Sequence, residues 1–229
     1  MALNINGNII SSSDITSVGV FKTEVNRDGL ICYLDAANIY SYPGTGTAWY
    51  DLTGNGYNGT FNAGVTFDSA TNSGIIVLDG TGYITTTVPN LASTNYTVMV
   101  GQKYSGATRG RITCTTTNNW LLGCWGSTTE NYYAEGWVTG GGSIGANDTN
   151  WRIVAGTGNI SEDQYTMYVN GTITYSNNGG SAGPNVISIC GYAGERSTAS
   201  VSFLLVYNRV LSSYEIAENF QALRGRLSL

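Results

Sequence analysis

Histidine is absent from the 229-residue chain, and charged residues are scarce, at 11% of the total. Without an imidazole, the chain cannot carry a Ser-His-Asp triad, an HExxH zinc site or a histidine general base. The basic residues are few and scattered, and Arg109 with Arg111 is a pair rather than a cluster. Because nucleic-acid surfaces need clustered Lys and Arg, and the net charge is −5, the composition argues against a nucleic-acid-binding protein.

Long apolar runs are missing as well. None reaches the roughly 18 residues that a membrane-spanning helix needs, and no charged and then apolar leader opens the sequence. Hydrophobic residues still make up 41% of the total, which is enough to build a core and too many for a disordered protein. The sequence therefore predicts one large globular domain that does not insert into a membrane.

Cysteine is limited to four positions without CxxC spacing, so the sequence does not favour a zinc site. Cys114 and Cys124 flank Asn118-Asn119, and a hairpin turning there would bring them face to face, which permits a disulfide in an oxidising compartment. Because the sequence shows no secretion leader, we expect reduced and mostly buried thiols at these two positions and at Cys32 and Cys190.

From Asp28 onward, short runs rich in Val, Ile, Thr and Tyr are separated by Gly, Asn and Ser at fairly regular spacing. This pattern predicts an all-β sandwich or barrel. Asn170-Gly171 lies between two such runs, and a two-residue Asn-Gly loop predicts a tight hairpin. The predicted strands are Leu30 to Leu34, Ile75 to Leu78, Tyr83 to Val88, Tyr96 to Gln102, Arg111 to Thr116, Trp120 to Trp125, Trp151 to Gly156, Tyr165 to Val169, Thr172 to Tyr175, Val186 to Cys190 and Val201 to Tyr207.

The first part of the chain, residues 1–27, differs from this β-rich body, which spans residues 28–211. Its opening LNINGNII alternates apolar and polar residues, SSSD interrupts the pattern, and ITSVGVFKTEV follows without a clear period. We predict an extended N-terminal arm containing a strand that adds to a neighbouring sheet edge, in the same molecule or another. The alternative is a first edge strand of the same sandwich.

The last part of the chain, residues 212–229, carries helix signals. Ser212 with Glu215 three residues later forms a capping box, and apolar residues then repeat at helical spacing before Gly225. The apolar stripe consists of Ile216, Ala217, Phe220 and Leu223. We predict one short C-terminal helix that packs this stripe against the sandwich.

The segment Trp49 to Gly59, WYDLTGNGYNG, combines aromatic residues with three glycines and two asparagines. Glycine and asparagine tolerate the left-handed backbone region, so the segment predicts a tight corner between two strands. Asp51 then accepts hydrogen bonds from the backbone amides of its own loop. The alternative is a calcium ligand, which we disfavour because such sites usually combine several carboxylates and this loop has one.

Four stretches in sequence order point to a family: LICYLDAANIYSYPGTGTAWYDLTGNGYNG, VLDGTGYI, WRIVAGTGNISEDQYTMYVNG and VYNRVLSSYEIAENFQAL. Together they resemble the LamG-like branch of the concanavalin A-like lectin/glucanase family, over about Asp28 to Leu223. The resemblance implies a two-sheet antiparallel jelly roll. The version with LDAAN, SYPG, WYDL and a closing NRVLS helix resembles domains in structural proteins of tailed bacteriophages.

The sequence departs from this family at one place that bears on metal binding. Many members carry an acidic pair in the strand before YNR, whereas Ser202 and Phe203 occupy the matching positions here. Asp51 and Asp79 match acidic positions of other family motifs. Because two carboxylates without that pair make a poor calcium site, we expect no metal and no other cofactor.

The carboxylates do not follow a glycosidase pattern. Glucanases of this fold place alternating carboxylates on one strand, in an E-x-D-x-E pattern, so that two of them share a sheet face. Glu162-Asp163 are adjacent, Glu215 and Glu218 belong to the predicted helix, and Glu130 with Glu135 are five residues apart. We therefore expect a protein that is not an enzyme.

Aromatic residues offer a different chemistry, since sugars stack on aromatic faces and the chain holds 16 tyrosines and 5 tryptophans. Tyr132, Tyr133 and Trp137, in ENYYAEGW, are the candidate carbohydrate-binding platform. The alternative is that these residues pack the sandwich, in which case strand alternation buries one of the two tyrosines.

The resemblance and the arm together favour a non-catalytic virion structural protein of a bacteriophage. Such a protein decorates the capsid or belongs to the neck, tail or a fibre, and assembles in the host cytoplasm with other virion proteins and with copies of itself. The alternative is a lectin-like adhesin domain that binds host-surface glycans.

Overall fold

The computed structural model describes residues 24–192 and 194–229, together with the backbone of two short N-terminal strands. Apart from the two N-terminal strands, which pair with each other, its β-strands form two antiparallel sheets that face each other, and one α-helix follows near the C-terminus. The predicted jelly-roll β-sandwich with a C-terminal helix is confirmed. No helix among the described residues is long and apolar enough to span a bilayer.

The strands and the helix are numbered in chain order. The elements are β1 Leu3–Ile5, β2 Asn8–Ile10, β3 Leu30–Asp35, β4 Ala48–Trp49, β5 Gly59–Phe61, β6 Val65–Asp68, β7 Ile75–Asp79, β8 Ile84–Thr86, β9 Tyr96–Arg109, β10 Thr113–Thr115, β11 Trp120–Trp125, β12 Thr128–Ala134, β13 Arg152–Asn159, β14 Gln164–Val169, β15 Thr172–Asn177, β16 Ile187–Ile189, β17 Ser197–Tyr207 and α1 Ser213–Arg224. Single turns of 3-10 helix lie at Ile160–Glu162 and Gly225–Leu227.

The front sheet has the strand order β12-β11-β10-β16-β8-β5-β4. The back sheet has the order β15-β14-β13-β9-β17-β7-β6, and β3 also pairs with β17. Strand β17 is therefore central: β9 lies along one side, while β7 and β3 share the other side end to end. Every predicted strand is present, and β4, β5, β6 and β12 were not predicted.

The main core lies between the two sheets, and β17 shows how the sequence builds it. Ala199, Val201, Leu204 and Val206 face this core, whereas Phe203 and Leu205 face the opposite side of the back sheet. The inward positions change from odd to even numbers because a register shift lies between Val201 and Phe203. The bulge lets a strand buried on both faces keep apolar residues on each.

Helix α1 covers the outer face of the back sheet. Its stripe of Ile216, Phe220 and Leu223 is buried in a second apolar cluster, which also contains Val25. Ser212 and Glu215 form the predicted capping box. The α-helix ends at Arg224, but Gly225 keeps a right-handed conformation with φ −58° and continues into a 3-10 turn instead of providing a left-handed cap.

The Asn170-Gly171 hairpin is confirmed. Val169 pairs with Thr172, and both loop residues have positive φ, 50° and 80°. The predicted facing of Cys114 and Cys124 is wrong, because Cys114 pairs with Leu121 in the β10–β11 register. The four cysteines are buried free thiols.

The predicted N-terminal arm falls largely outside the described residues. Strand β1 pairs antiparallel with β2, with Ile5 opposite Asn8. Addition of an arm strand to a sheet edge stays a prediction. At the end of the arm, Asn26 is attached to the domain, since Tyr207 Oη and Asn219 Oδ1 bond to its backbone oxygen and nitrogen.

Candidate functional site

Tyr132 lies in the core and not on the surface, so the predicted aromatic platform must be corrected. Its side chain is completely buried on the inner face of β12. Its hydroxyl donates to the Thr157 carbonyl oxygen at 3.2 Å and lies 2.5 Å from the hydroxyl of Tyr96. Burial raises the pKa of both tyrosines. Tyr132 thus links the two sheets.

Tyr133 and Trp137 lie together on the outer face of the front sheet, and Trp125 joins them. Tyr133 and Trp137 form a β-bridge, and their rings meet edge to face with centroids 5.0 Å apart. The rings of Trp125 and Trp137 are 5.3 Å apart. All three side chains are half-buried. We call Trp125, Tyr133 and Trp137 the aromatic platform.

Trp125 was not predicted, although the sequence carried a signal for it. Trp120 and Cys124 face the core, so the next residue along β11, Trp125, faces outward. Gly142 then packs close to the platform. A Cβ atom on Gly142 would lie 2.7 Å from Trp125 Cζ3 and 3.0 Å from Trp137 Cη2, so a side chain there would push against both rings.

A buried arginine and a carboxylate hold one side of the platform. Glu195 Oε2 accepts hydrogen bonds from Arg111 Nε at 2.7 Å and from Trp125 Nε1 at 2.8 Å. The Arg111 guanidinium also stacks on Tyr192, 3.9 Å from the ring centroid. These contacts fix the Trp125 ring and place a carboxylate beside it.

The same arginine reaches the opposite end of β11. Arg111 Nη1 donates to Asn119 Oδ1 at 2.7 Å, and Asn119 N donates to Glu135 Oε1 at 2.7 Å. Leu121 lies between these groups in β11, opposite Tyr133, and is 1% exposed. Polar donors and acceptors therefore accompany the platform rings on this face of the front sheet.

Further carboxylates lie at the edge of the front sheet. Arg152 binds Glu130 at 3.3 Å and Asp148 at 2.8 Å. Chiefly because its side chain accepts hydrogen bonds from Arg152, the pKa of Asp148 falls to about 2. Asp148 is thus an anion at neutral pH and does not supply a proton as a general acid.

Asp51 has the structural role predicted from its loop. Its Oδ1 accepts from the backbone amides of Tyr33 and Thr53, and its Oδ2 accepts from the Thr53 hydroxyl and the Tyr57 amide. Trp49 beside it is fully buried, and the segment connects β4 to β5 as a corner. Both oxygens of the disfavoured calcium ligand are therefore engaged by the chain itself.

Asp79 is the other carboxylate that the resemblance singled out, and the chain itself also binds its side chain. Asp79 Oδ1 accepts from the Thr81 amide and hydroxyl and from the Gly82 amide, as in a polar turn. Ser202 and Phe203 are completely buried. Among the described residues, no three His, Cys, Asp or Glu side chains are grouped so as to hold a metal ion.

A cavity of about 490 Å³ lies apart from the platform, between α1 and β3. Arg226 Nη1 binds Asp35 Oδ1 there at 2.7 Å, and Tyr33 donates to Asp35 Oδ2 at 2.7 Å. Arg226 and Asp35 thus form an ion pair in the wall of this cavity. The platform is the better candidate because three half-buried rings and one partly exposed carboxylate lie together there.

A scan against protein-family models and a search of curated proteins find no match for this sequence. Solved structures do match its fold. The binding domain of Paraclostridial Mosquitocidal Protein 1 superposes with a TM-score of 0.62 at 15% identity, covering 84% of this chain and 52% of that one. Trypanosoma rangeli sialidase superposes at 0.64 and 16% identity, covering 88% and 34%.

A third match has nearly the size of this domain. Domain 4 of AbnA, an extracellular arabinanase from Geobacillus stearothermophilus solved with arabinotriose, gives a TM-score of 0.61 at 14% identity and covers 83% of this chain and 97% of that one. The chain spans about half of the mosquitocidal binding domain and a third of the sialidase. The likeness shows a shared β-sandwich fold.

Proposed function

We propose that the protein is a non-catalytic, glycan-binding β-sandwich domain whose ligand stacks on Trp125, Tyr133 and Trp137. The observation that carries the proposal is the grouping of three half-buried rings on the outer face of a sheet. Sandwich proteins bury most of their large aromatics in the core, as Trp49 and Trp120 are buried here. Rings left at the surface beside hydrogen-bonding groups provide stacking area for a sugar.

The carboxylates near the platform support a binding role over catalysis. Hydrolysis of a glycosidic bond needs two carboxyl groups on either side of the bond, one of them protonated. Glu195 is paired with Arg111, Asp148 with Arg152, and Glu135 accepts from a backbone amide. Each is engaged in holding the local structure.

Glycan-array binding of the purified protein tests this proposal. The Tyr133→Ala, Trp137→Ala double variant should lose binding, because it removes two of the three rings. Tyr40→Ala is the matched control, since Tyr40 is 83% exposed and lies outside the platform. Absence of binding across a broad array, or binding retained by the double variant, would refute the site.

A second candidate concerns where the domain acts. The ordered resemblance of four motifs to phage structural domains supports a place in a bacteriophage virion, in contact with other virion proteins and with copies of itself. A virion protein that binds glycans would contact the host surface. Both roles are compatible in one chain.

Removal of residues 1–23 tests the virion role. The deletion stops there because Val25 packs under α1 and Asn26 bonds to Asn219. The truncated protein should fold, as judged by circular dichroism, and fail to enter particles in an infected cell. Incorporation at the normal level would exclude the anchoring role of the arm.

A further inference from the structure

Charge is arranged asymmetrically around the aromatic platform. In the Arg111 and Glu195 pair, the arginine side chain is 6% exposed and the glutamate is 37% exposed. At the sheet edge, Arg152 is 13% exposed, against 25% for Glu130 and 28% for Asp148. The positive partner is the more buried one in both places, and beside the platform the Glu195 carboxylate is what a ligand meets.

Glu195 also retains hydrogen-bonding capacity. Both of its side-chain hydrogen bonds, from Arg111 and Trp125, reach Oε2. Within the described part of the chain, no hydrogen bond reaches Oε1. A carboxylate oxygen accepts hydrogen bonds from hydroxyl groups and repels another carboxylate. Since Trp125 is held by the other oxygen, Oε1 lies next to the platform.

Two other charged side chains are Glu135, which follows the platform strand β12, and Arg109, at the end of β9. Glu135 is exposed and adds a second negative charge near Tyr133. Arg109 stacks on Tyr104 and is held by the Gly106 carbonyl oxygen and by Asn147. These contacts hold the Arg109 guanidinium against its own strand and Asn147.

We propose that the platform selects uncharged glycans and discriminates against sugars that carry a carboxylate, such as sialic and uronic acids, with Glu195 as the specificity-determining residue. This inference rests on the proposed glycan-binding function. Glu195 accepts a hydrogen bond from a sugar hydroxyl through Oε1. The same negative charge, together with that of Glu135, repels a sugar carboxylate.

Matched glycan pairs test the selectivity. Immobilised N-acetyllactosamine is compared with its sialylated form, and oligoglucose with oligoglucuronate. Within the pair that binds, the affinity for the neutral member should exceed the affinity for the acidic member by about tenfold or more at low salt. Raising sodium chloride from about 20 to about 500 mM should narrow this ratio, because salt screens the repulsion. The salt comparison uses only the wild-type protein.

Glu195→Gln supplies the second arm, because an amide keeps an acceptor oxygen without the charge. Glu195→Gln should bring the affinities for the neutral and the acidic glycan closer together. The control Glu162→Gln, at an exposed carboxylate in the Ile160–Glu162 turn, should leave their ratio unchanged. If Glu195→Gln fails to fold, the salt dependence decides. Equal or tighter wild-type binding of the acidic member overturns the selectivity and leaves glycan binding intact. Failure to bind any glycan overturns the proposed function itself.

Discussion

Tyr132 of the front sheet and Tyr96 of the back sheet join the two layers through hydroxyl groups 2.5 Å apart. Trp120 Nε1 donates to Tyr96 at 3.1 Å, and Tyr132 donates to the Thr157 carbonyl oxygen at 3.2 Å, so the hydrogen bonds form a buried chain. Tyr132→Phe would remove the hydrogen bond to Thr157 O and would leave the buried Tyr96 hydroxyl with Trp120 as its remaining partner. We expect a loss of about 1–3 kcal/mol in the free energy of unfolding, measured by urea denaturation.

Tyr133→Phe is the control for this prediction. Tyr133 is the next residue, is half-buried on the opposite face, and no hydrogen bond to its hydroxyl is present among the described residues. Loss of the Tyr133 hydroxyl should change the free energy of unfolding by about 0.5 kcal/mol or less. Equal effects of the two substitutions would contradict the structural role of the Tyr132 hydroxyl.

The glycine loop offers a matched pair of substitutions at the aromatic platform. Gly141 and Gly142 both have positive φ, 102° and 85°, so alanine strains the backbone at each. Only at Gly142 would the new methyl group meet Trp125 and Trp137, since nothing lies within 4 Å of a Cβ atom added at Gly141. Gly142→Ala should alter tryptophan fluorescence and weaken glycan binding, and Gly141→Ala should change neither. The same glycan response in both variants would mean that ring position does not control binding.

A second glycine pair separates backbone strain from steric crowding. At Gly54 (φ 88°), nothing lies within 4 Å of an added Cβ, whereas at Gly171 (φ 80°) it would lie 2.9 Å from Phe220 Cδ1 of α1. Gly54→Ala should cost about 1 kcal/mol from the left-handed conformation alone. Gly171→Ala should cost more because it also displaces α1. Thermal denaturation of both variants gives the comparison, and a smaller shift for Gly171→Ala would refute this packing argument.

Glu215 makes the helix contact sensitive to acid. Mainly because its side chain accepts hydrogen bonds from Arg209, at 2.6 Å and 3.1 Å, its pKa falls to about 2. A carboxyl pKa lowered on folding stabilises the protein above the unfolded pKa of about 4.3, and this stabilisation is lost as pH falls through the folded value. The stability difference between wild type and Glu215→Gln should be constant above about pH 5 and shrink between about pH 4.3 and 2. Urea unfolding at several pH values measures it, and a difference that grows toward the acid end would contradict the assignment.

Local signals in the sequence predicted local structure well. Asn170-Gly171 fixes its hairpin within two residues, and Ser212 with Glu215 caps α1 within one turn. Strand register is set by contacts between distant segments, and the error at Cys114 and Cys124 reflects this. The missed strands are short, or as polar as Thr128–Ala134, so their pairing comes from neighbours and not from their own composition.

The candidate site likewise combines residues that local strand alternation predicts with residues that only contacts between distant segments bring together. Alternation along β12 places adjacent Tyr132 and Tyr133 on opposite faces, and alternation along β11 makes Trp125 available as a ring. Glu195 and Tyr192 belong to the loop between β16 and β17, far along the chain. Only the folded sandwich brings that loop onto β11, so no pattern near Trp125 could have indicated its carboxylate partner.

Strand β17 sets the order in which the protein can form on the ribosome. It pairs with β3, β7 and β9, which are all made much earlier, and it separates β9 from both. Until Tyr207 leaves the exit tunnel, the back sheet has no centre: β6 can already pair with β7 and β13 with β9, but β7 and β9 each keep one edge unpaired and β3 waits for β17. Completion of the back sheet is therefore a late step, and a chain that stops before β17 exposes the edges most prone to aggregation.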